Sequence, residues 1–353
     1  MKGTAMYSYR VEKGAGINAL TLREEPPPSP GRGQVIVRVR AVSLNFRELM
    51  IVEKGIYPLP IKPNLIPVSD GAGEVVAVGE GVTRVKVGDR VVGQIFTQWI
   101  DGPFGWGHAA QLGGSLDGML TDLAVLPEEA ALPFPAHLSF EEAATLPCAA
   151  VTAWNALVGA APLSPGQTVL TLGSGGVSLF ALQLAKLFGA RVIATTSSAD
   201  KARRLTELGA DAVVDYRANP DWHLAVRELT GGAGVDRVVE VGGPGTLVRS
   251  LRCVAADGHL SLVGGLSTDA APLEASAFNA FVGTIRRIAV GNRAQFVAMN
   301  RAIEHHKLRP VIDRVFDFRE AADAFRYYEA GNTFGKVVIR GAADAAPGET
   351  RRR

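Results

Sequence analysis

The first third of the chain carries the pattern of short β-strands. Between Tyr7 and Leu132, short runs such as Val35–Arg40 and Gly73–Val78 are rich in residues that favour β-strands. Turns rich in glycine and aspartate, at Val78–Gly81 and Val87–Arg90, separate these runs at the spacing of a small barrel. The pattern therefore predicts an all-β domain.

From Ser139 onward, apolar strands alternate with amphipathic helices, which is typical of parallel βαβ units. Predicted strands are Thr168–Leu172, Arg191–Thr195, Ala212–Asp215, Asp236–Val241, His259–Val263 and Arg287–Val290. The predicted helices are Val177–Phe188, Lys201–Leu208, Arg293–His306 and Arg319–Ala330. Two further strands are predicted at Asp313–Val315 and Lys336–Ile339. We expect a first domain over residues 1–149, a dinucleotide-binding domain over residues 150–291, and a segment over residues 292–353 that returns to the first domain and ends in a frayed tail.

Composition narrows the class of protein further. The 353 residues are 47% hydrophobic and 20% charged with a net charge of +2, which is ordinary for a globular protein and gives no reason to expect a nucleic-acid partner. Because the first residues show no charged start followed by an apolar run, and no apolar run is long enough to span a bilayer, we expect neither export nor a membrane anchor. Two cysteines cannot build a disulfide framework. We therefore expect a cytoplasmic protein of about two domains without a membrane partner.

The segment Gly173-Ser174-Gly175-Gly176-Val177 follows an apolar strand and opens a helix. In this context Gly173 can make the tight turn, and Gly175 can let backbone N–H groups approach a pyrophosphate at the helix N-terminus. The third position of the motif is Ser178, which can still permit close packing of the helix. The loop predicts a dinucleotide site.

The strand after this loop ends without an acidic residue, which an NAD site commonly places against the ribose hydroxyls. Thr196 and Ser197 stand there instead, with Lys201 one turn into the next helix. These side chains are suited to a 2′-phosphate, so we expect NADPH or NADP as the cofactor. The alternative is that Thr196 and Ser197 only cap the helix.

Taken with these motifs, several further segments resemble the zinc-independent, quinone-oxidoreductase-like branch of the medium-chain dehydrogenase/reductase superfamily. They are Ala41–Phe46, Gly55–Pro58, Ser69–Val75, Val87–Val91, Gly231–Asp236 and Phe334–Val337. The resemblance covers nearly the whole chain and implies an α/β protein with a GroES-like β-barrel catalytic domain and a Rossmann domain with a doubly wound parallel sheet. It also implies a homodimer formed through the edges of the Rossmann sheets.

The positions that match the zinc ligands of related enzymes have changed. Asn45-Phe46 replaces a Cys-His pair, and Val68-Ser69-Asp70 replaces Gly-His-Glu, while Cys148 stands at the third ligand position. The four cysteines of the structural zinc lobe are also missing. One thiol with Asn and Ser cannot supply the donor set of a catalytic zinc, so we expect no metal.

Without a metal, the resemblance implies hydride transfer to an activated C=C bond of an enone, enal or enoyl ester, or to a quinone. Tyr57 matches a tyrosine that donates a hydrogen bond in enoyl-reductase relatives, although it could be only a packing aromatic. Two alternatives stay open, a metal-independent alcohol dehydrogenase or carbonyl reductase, and a non-catalytic NADPH-binding protein. For each of these functions we expect the binding partner to be a small molecule.

The resemblance also implies further cofactor contacts. Asn45 matches a residue beside the nicotinamide ribose, which gives it a catalytic as well as a cofactor-binding role. The other positions implied are Thr152 at the carboxamide, Tyr216 at the 2′-phosphate, Gly264 and Gly265 under the nicotinamide, and Lys336 at the phosphates.

Overall fold

The computed structural model describes residues 5–159, 161–265, 278–279 and 281–342. The chain forms two compact units. The first unit comprises Met1–Cys148 with Asn292–Arg353, and the second comprises Ala149–Gly291. The first two domains predicted from the sequence end at residues 149 and 291, whereas the corresponding segments of these units end at Cys148 and Gly291. The predicted frayed tail lies outside the described residues.

The described part of the chain forms strands and helices with the following bounds. The strands are β1 (Met6–Arg10), β2 (Thr21–Glu25), β3 (Gln34–Ser43), β4 (Asp70–Val78), β5 (Arg90–Gly93), β6 (Leu123–Pro127), β7 (Ala131–Pro133), β8 (Thr168–Leu172), β9 (Arg191–Thr196), β10 (Ala212–Asp215), β11 (Val235–Glu240), β12 (Val254–Leu262), β13 (Gly283–Arg287), β14 (Ile312–Phe316) and β15 (Lys336–Arg340). The helices are α1 (Phe46–Val52), α2 (Phe140–Ala143), α3 (Val151–Val158), α4 (Gly176–Leu187), α5 (Ala199–Glu207), α6 (Trp222–Leu229), α7 (Leu247–Cys253), α8 (Arg293–His306) and α9 (Ala321–Glu329).

In the first unit, β3 is the central strand. The main sheet has the order β14-β15-β3-β4-β5-β7, and β6 also pairs with β3, while β1 and β2 form a separate antiparallel pair. Val35, Val37 and Val39 of β3 are at most 1% exposed, and each buried valine stabilises the fold by about 2 kcal/mol. Because β15 pairs antiparallel with β3, the C-terminal segment completes the sheet that the N-terminal segment begins.

The second unit contains a six-stranded parallel sheet in the order β10-β9-β8-β11-β12-β13. The chain starts at β8 in the middle, winds to one edge, and then returns to β11 on the other side of β8. Loops at the carboxyl ends of β8 and β11 therefore diverge, and this topology creates the crevice in which doubly wound folds bind ligands. The predicted Rossmann fold is confirmed.

The sixth predicted strand, Arg287–Val290, is wrong. The observed strand β13 covers Gly283–Arg287 and pairs in parallel with Gly258–Leu262 of β12. It is an edge strand with largely exposed side chains, so it lacks the apolar run of a central strand. The apolar residues that suggested a strand follow it, and Val290 there has a φ of 57°, outside the β region.

Candidate functional site

In the second unit, β8 leads through the glycine loop into α4. Gly173 has a φ of 72°, a left-handed conformation that favours glycine, and its N–H donates to the Thr195 carbonyl and hydroxyl oxygens at 3.0 and 3.2 Å. A Cβ atom at Gly173 or Gly175 would meet no protein atom within 4 Å. Gly175 precedes α4 without a side-chain cap, so the first N–H groups of α4, at Gly176 and Val177, can serve an anion. This open cradle fits a pyrophosphate.

Ser178 shows how the loop dispenses with the third glycine of the motif. Its side chain is 1% exposed, and its hydroxyl donates to the Leu172 carbonyl oxygen at 2.6 Å. The hydrogen bond satisfies the buried hydroxyl and ties the first turn of α4 to the end of β8.

The adjacent ends of β9 and β10 carry the residues expected at the 2′-phosphate. Tyr216 is 39% exposed, and its N–H donates to the Thr196 carbonyl oxygen at 2.9 Å. Ser197 is partly exposed. The cap of α5 is neither Thr196 nor Ser197, because Ser198 accepts the Lys201 N–H at 3.3 Å. The Thr196 hydroxyl is enclosed by protein at 1% exposure, so a phosphate cannot reach it in this conformation.

Nearby acidic residues are engaged in contacts of their own. Asp200 pairs with Arg203 at 2.9 Å, and Asp215 accepts the Arg217 N–H at 2.8 Å. Both carboxylates are thus bonded to groups of their own neighbouring segments.

Glu240, at the carboxyl end of β11, organises the loops that contain Gly264 and Gly265. Its side chain is fully buried and accepts hydrogen bonds from the Gly242 and Gly243 N–H groups at 2.7 and 2.8 Å. The hydroxyls of Thr246 and Ser250 also donate to this carboxylate. Its backbone oxygen accepts the N–H groups of Val263 and Gly264 at 2.8 and 3.3 Å. One residue thus fixes two loops at the end of the sheet where doubly wound folds bind ligands.

Thr152, expected at the nicotinamide carboxamide, lies in the first turn of α3 and is 3% exposed.

The loops that contain Gly243 and Gly265 approach each other closely. This approach requires glycine at position 243, because a Cβ on Gly243 would lie 2.7 Å from the Gly265 Cα.

In the first unit, the end of β3 and the start of α1 meet the start of β15. Asn45 precedes α1 and is 7% exposed. The Lys336 ammonium, 3% exposed, donates to the side-chain oxygen of Asn45 and, at 2.6 Å, to the Leu44 carbonyl oxygen. The structure thus shows the Lys336 ammonium bonded to two oxygen acceptors of the first unit, and its contact with the cofactor phosphates stays a prediction.

Asp70 is the buried acid beside this ammonium. Burial raises the pKa of the Asp70 carboxyl to about 6, although the Lys336 ammonium acts to lower it. The carboxylate accepts the Ser69 hydroxyl at 2.9 Å and the Cys148 N–H at 3.1 Å. Burial also raises the pKa of the Cys148 thiol far above its ordinary range, with Asp70 acting in the same direction, so this cysteine stays protonated.

The backbone before this acid is strained. Val68 is fully buried and has a φ of 71°, a region that β-branched residues avoid at a cost of about 1–3 kcal/mol. Its carbonyl oxygen accepts the Met119 N–H at 2.7 Å. Strain of this kind persists where the surroundings fix it, and here it precedes two buried polar side chains, Ser69 and Asp70.

Tyr57 and Arg47 form the remaining part of the cluster. Arg47 of α1 is 8% exposed, and its Nε donates to the Tyr57 hydroxyl oxygen at 3.3 Å. Its Nη1 pairs with Glu48 at 3.1 Å, and Glu48 accepts the Asn45 N–H at 2.8 Å. A continuous polar network therefore joins Tyr57 to Asn45.

The residues of this cluster do not fit a zinc ion. Asn45 offers its side-chain oxygen to an ammonium, and the Ser69 hydroxyl lies within hydrogen-bond distance of the Glu48 and Asp70 carboxylates, so only Cys148 of the three matching positions carries a sulfur or nitrogen ligand of the kind that zinc takes. Within the described residues, no group of three or more His, Cys, Asp or Glu side chains is arranged to hold a metal. Zinc prefers deprotonated sulfur and imidazole nitrogen, which this donor set lacks.

Sequence reasoning did not find Arg47, Glu48 or Glu240. Two signals were present: Arg47-Glu48 stands directly after Asn45-Phe46, and Glu240 ends an apolar strand before Val241-Gly242-Gly243. A charged residue beside an apolar strand or a motif is buried only when it has a partner, so its presence there indicates a structural or functional contact.

No helix in the described part of the chain is long and apolar enough to cross a membrane.

Comparisons with known proteins agree with this architecture. Residues 31–136 match the alcohol dehydrogenase GroES-like domain, and residues 176–305 match the zinc-binding dehydrogenase family. The zinc-type alcohol dehydrogenase-like protein of Schizosaccharomyces pombe is 41% identical over 90% of this chain and 93% of its own length. A quinone oxidoreductase of Pseudomonas aeruginosa is 33% identical, covering 92% of this chain and 96% of that protein. The 2-methylene-furan-3-one reductase of Solanum lycopersicum is 32% identical over 88% of this chain and 73% of its own length.

Two solved structures are similar over the whole fold. A crystal structure described as an NAD-dependent alcohol dehydrogenase is 34% identical with a TM-score of 0.86, covering 95% of this chain and 99% of that chain. A mycobacterial protein in complex with NADPH is 28% identical with a TM-score of 0.79, over 95% and 99% of the two chains.

Proposed function

Because this chain belongs to the medium-chain dehydrogenase/reductase superfamily, we propose that it is an NADPH-dependent oxidoreductase that reduces an activated C=C bond or a quinone without a metal ion. The observation that carries this proposal is the pairing of Tyr57 with Arg47 in a cluster that does not fit zinc. Relatives described as a quinone oxidoreductase and a 2-methylene-furan-3-one reductase support it.

The glycine loop would hold the cofactor pyrophosphate at Gly173, Gly175, Gly176 and Val177. Ser197, Lys201 and Tyr216 would hold the 2′-phosphate, because a lysine and hydroxyls favour a phosphate that an acid would repel. Thr152, Gly264 and Gly265 would surround the nicotinamide, with Asn45 beside its ribose. When bound, NADPH supplies a hydride to the β-carbon of the acceptor.

In the first unit, Tyr57 would donate a hydrogen bond to the substrate oxygen, where negative charge develops during conjugate reduction. The phenol oxygen already accepts a hydrogen bond from Arg47 Nε at 3.3 Å, so its own O–H would be the group that donates to the substrate. Cys148 does not take part as a nucleophile, because its thiol stays protonated.

A metal-independent alcohol dehydrogenase or carbonyl reductase is the second candidate, and its carbonyl chemistry is supported by relatives described as a zinc-type alcohol dehydrogenase-like protein and an NAD-dependent alcohol dehydrogenase. A hydrogen bond from Tyr57 would serve a ketone oxygen as well as an enone oxygen. Substrate preference separates these candidates: conjugated acceptors should be reduced faster than saturated aldehydes and ketones. Cofactor binding without turnover of any substrate would instead indicate a non-catalytic NADPH-binding protein.

We expect Tyr57→Phe to reduce turnover by roughly 10²-fold, because it removes an oxyanion-stabilising donor worth about 3 kcal/mol. Turnover is measured by oxidation of NADPH with a panel containing 2-cyclohexenone, trans-2-hexenal, 1,4-benzoquinone and saturated cyclohexanone. NADPH affinity should hardly change.

The matched control is Tyr327→Phe, which removes a phenol hydroxyl bonded to Asp313 at 2.8 Å and should leave turnover intact. Full turnover of Tyr57→Phe on the best conjugated substrate would exclude Tyr57 as the donor. Reduction of cyclohexanone alone would replace the proposal by the carbonyl-reductase alternative.

We also propose that the chain forms a homodimer through the edge of the second unit's sheet. On one side β13 pairs with β12, and on its other side no described strand pairs with it. Val282 and Ile285 are 63% and 37% exposed at this edge. An unpaired edge strand with exposed apolar side chains is a template for pairing with a second copy.

A further inference from the structure

We propose that Arg47 is a positioning residue for Tyr57, which it holds in the orientation needed for proton donation. This inference rests on the proposed function and deepens it. Arg47 Nε donates to the Tyr57 hydroxyl oxygen at 3.3 Å, and the guanidinium carbon lies 5.0 Å from the centre of the Tyr57 ring. The two contacts fix both the oxygen and the plane of the same side chain.

The guanidinium is itself immobilised by protein acceptors. Nη1 donates to Glu48 at 3.1 Å and to the Leu112 carbonyl oxygen at 3.2 Å. Nη2 donates to the Gln111 side-chain oxygen at 2.8 Å and to the Gly113 carbonyl oxygen at 3.3 Å. Since both terminal nitrogens are committed to these groups, the single Nε–H has a fixed direction, and it points at Tyr57.

This geometry defines the proton that Tyr57 can give. Because the phenol oxygen accepts from Arg47, its own hydrogen is directed away from the guanidinium. On donation, the O–H bond of Tyr57 breaks, its electron pair stays on the phenol oxygen, and the proton forms a new bond on the reduced substrate. The buried positive charge of Arg47 then stabilises the phenolate until a proton from solvent restores the phenol.

The test is a double-mutant cycle between Arg47→Lys and Tyr57→Phe. Lysine keeps the positive charge beside Glu48 but has no planar fork with which to hold the phenol. We expect Arg47→Lys to lower kcat by about tenfold with NADPH affinity unchanged, and to cause no further loss in the Tyr57→Phe background. The substrate is the panel member that the wild-type chain reduces fastest.

Arg237→Lys is the matched control, because Arg237 is also a buried arginine, bonded to the Ala161 and Pro162 carbonyl oxygens. Any loss that it causes should be equal in both backgrounds. If Arg47→Lys fails to fold, Gln111→Leu is the replacement, because it removes one acceptor of the guanidinium and keeps the positive charge. We expect Gln111→Leu to lower kcat by less than Arg47→Lys would, and only in the chain that retains Tyr57.

Losses from Arg47→Lys and Tyr57→Phe that multiply would overturn the positioning role, because Arg47 would then act independently of the phenol. Full turnover in the single variant Tyr57→Phe would refute Tyr57 as the donor. The contact between Arg47 and Tyr57 is therefore also tested without activity, by nuclear magnetic resonance. The chain has six tyrosines, so carbon-13 labelling of their rings gives a Tyr57 signal that Tyr57→Phe identifies. That signal should shift in Arg47→Lys and stay in place in Arg237→Lys. An unchanged signal would refute the contact itself.

Discussion

At the residue scale, the ammonium of Lys336 and the guanidinium of Arg47 balance the carboxylates of Asp70 and Glu48 inside the first unit. Two cations and two anions make the cluster electrically neutral when all four groups are ionised. Buried charges are tolerated only when paired and hydrogen-bonded, and each of these groups has such partners. Asn45 and Ser69, at positions that match zinc ligands, are hydrogen-bonded to groups of this charge-balanced cluster.

We expect NADPH to bind at least about tenfold more tightly than NADH, because Ser197, Lys201 and Tyr216 can hold a 2′-phosphate. Lys201→Ala should remove most of this preference, measured by calorimetric titration of both cofactors. Lys186→Ala is the control, since Lys186 pairs with Asp211 at 2.8 Å near the end of α4 and should not affect the preference. Equal or tighter binding of NADH to the wild-type chain would contradict this expectation.

Single residues of the candidate site differ in how far sequence predicts them. The glycines of the loop could be located from sequence, because their spacing after a strand and before a helix is a local property. The contacts of Lys336 with Asn45 and of Arg47 with Gln111 could not, because they join residues 291 and 64 positions apart in the chain. Thr196 shows a second limit: the sequence places a hydroxyl at the strand end, but the fold encloses it.

At the element scale, the edge strand β13 determines our expectation about assembly. We expect the chain to sediment as a dimer with about twice its mass of 37.2 kDa. Val282→Asp should shift it to a monomer, because a charge in an apolar interface is desolvated without a partner. Val87→Asp is the matched control, since Val87 is 57% exposed in the first unit, compared with 63% for Val282. Monomeric wild-type chain, or equal dimerisation of both variants, would count against edge pairing.

Helices and central strands follow from sequence more closely than edge strands do. The prediction of α8 agrees with the structure at both ends, because Asn292 and Gln295 form a reciprocal cap and Lys307 ends the helix in a left-handed conformation. Strand β8 also agrees, since its apolar residues are buried on both faces. The failure at β13 has the opposite cause, because an exposed edge strand carries no such pattern.

At the scale of the whole molecule, stability should depend on the protonation of Asp70. Burial raises the pKa of Asp70 from 3.8 to about 6, so the folded chain binds this proton more strongly than the unfolded chain does. The contribution of Asp70 to the free energy of unfolding therefore falls as pH rises from about 4 to above 6, by about 3 kcal/mol.

Asp70→Asn removes this dependence, because asparagine does not titrate. We expect the variant to gain about 3 kcal/mol relative to the wild-type chain between about pH 4 and about pH 7, measured by urea unfolding. Asp89→Asn should show almost no change over this range, because hydrogen bonds from Lys86 lower the pKa of Asp89 from 3.8 and its titration affects stability only below about pH 4. A stability difference for Asp70→Asn that is constant with pH would show that Asp70 titrates alike in both states.

The sequence by itself determined the alternation of elements, the glycine loop and the change of residues at the zinc-ligand positions. These depend on periodicity, turn geometry and side-chain chemistry, which act over a few neighbouring residues. Only the tertiary structure decided which distant polar groups the buried cations contact. Pairing of β15 with β3 brings Lys336 to Asn45 across 291 positions of the chain, and the loop after β5 brings Gln111 to Arg47 across 64. Such contacts form because an ionised side chain carried into the core by its strand or helix must find a partner there.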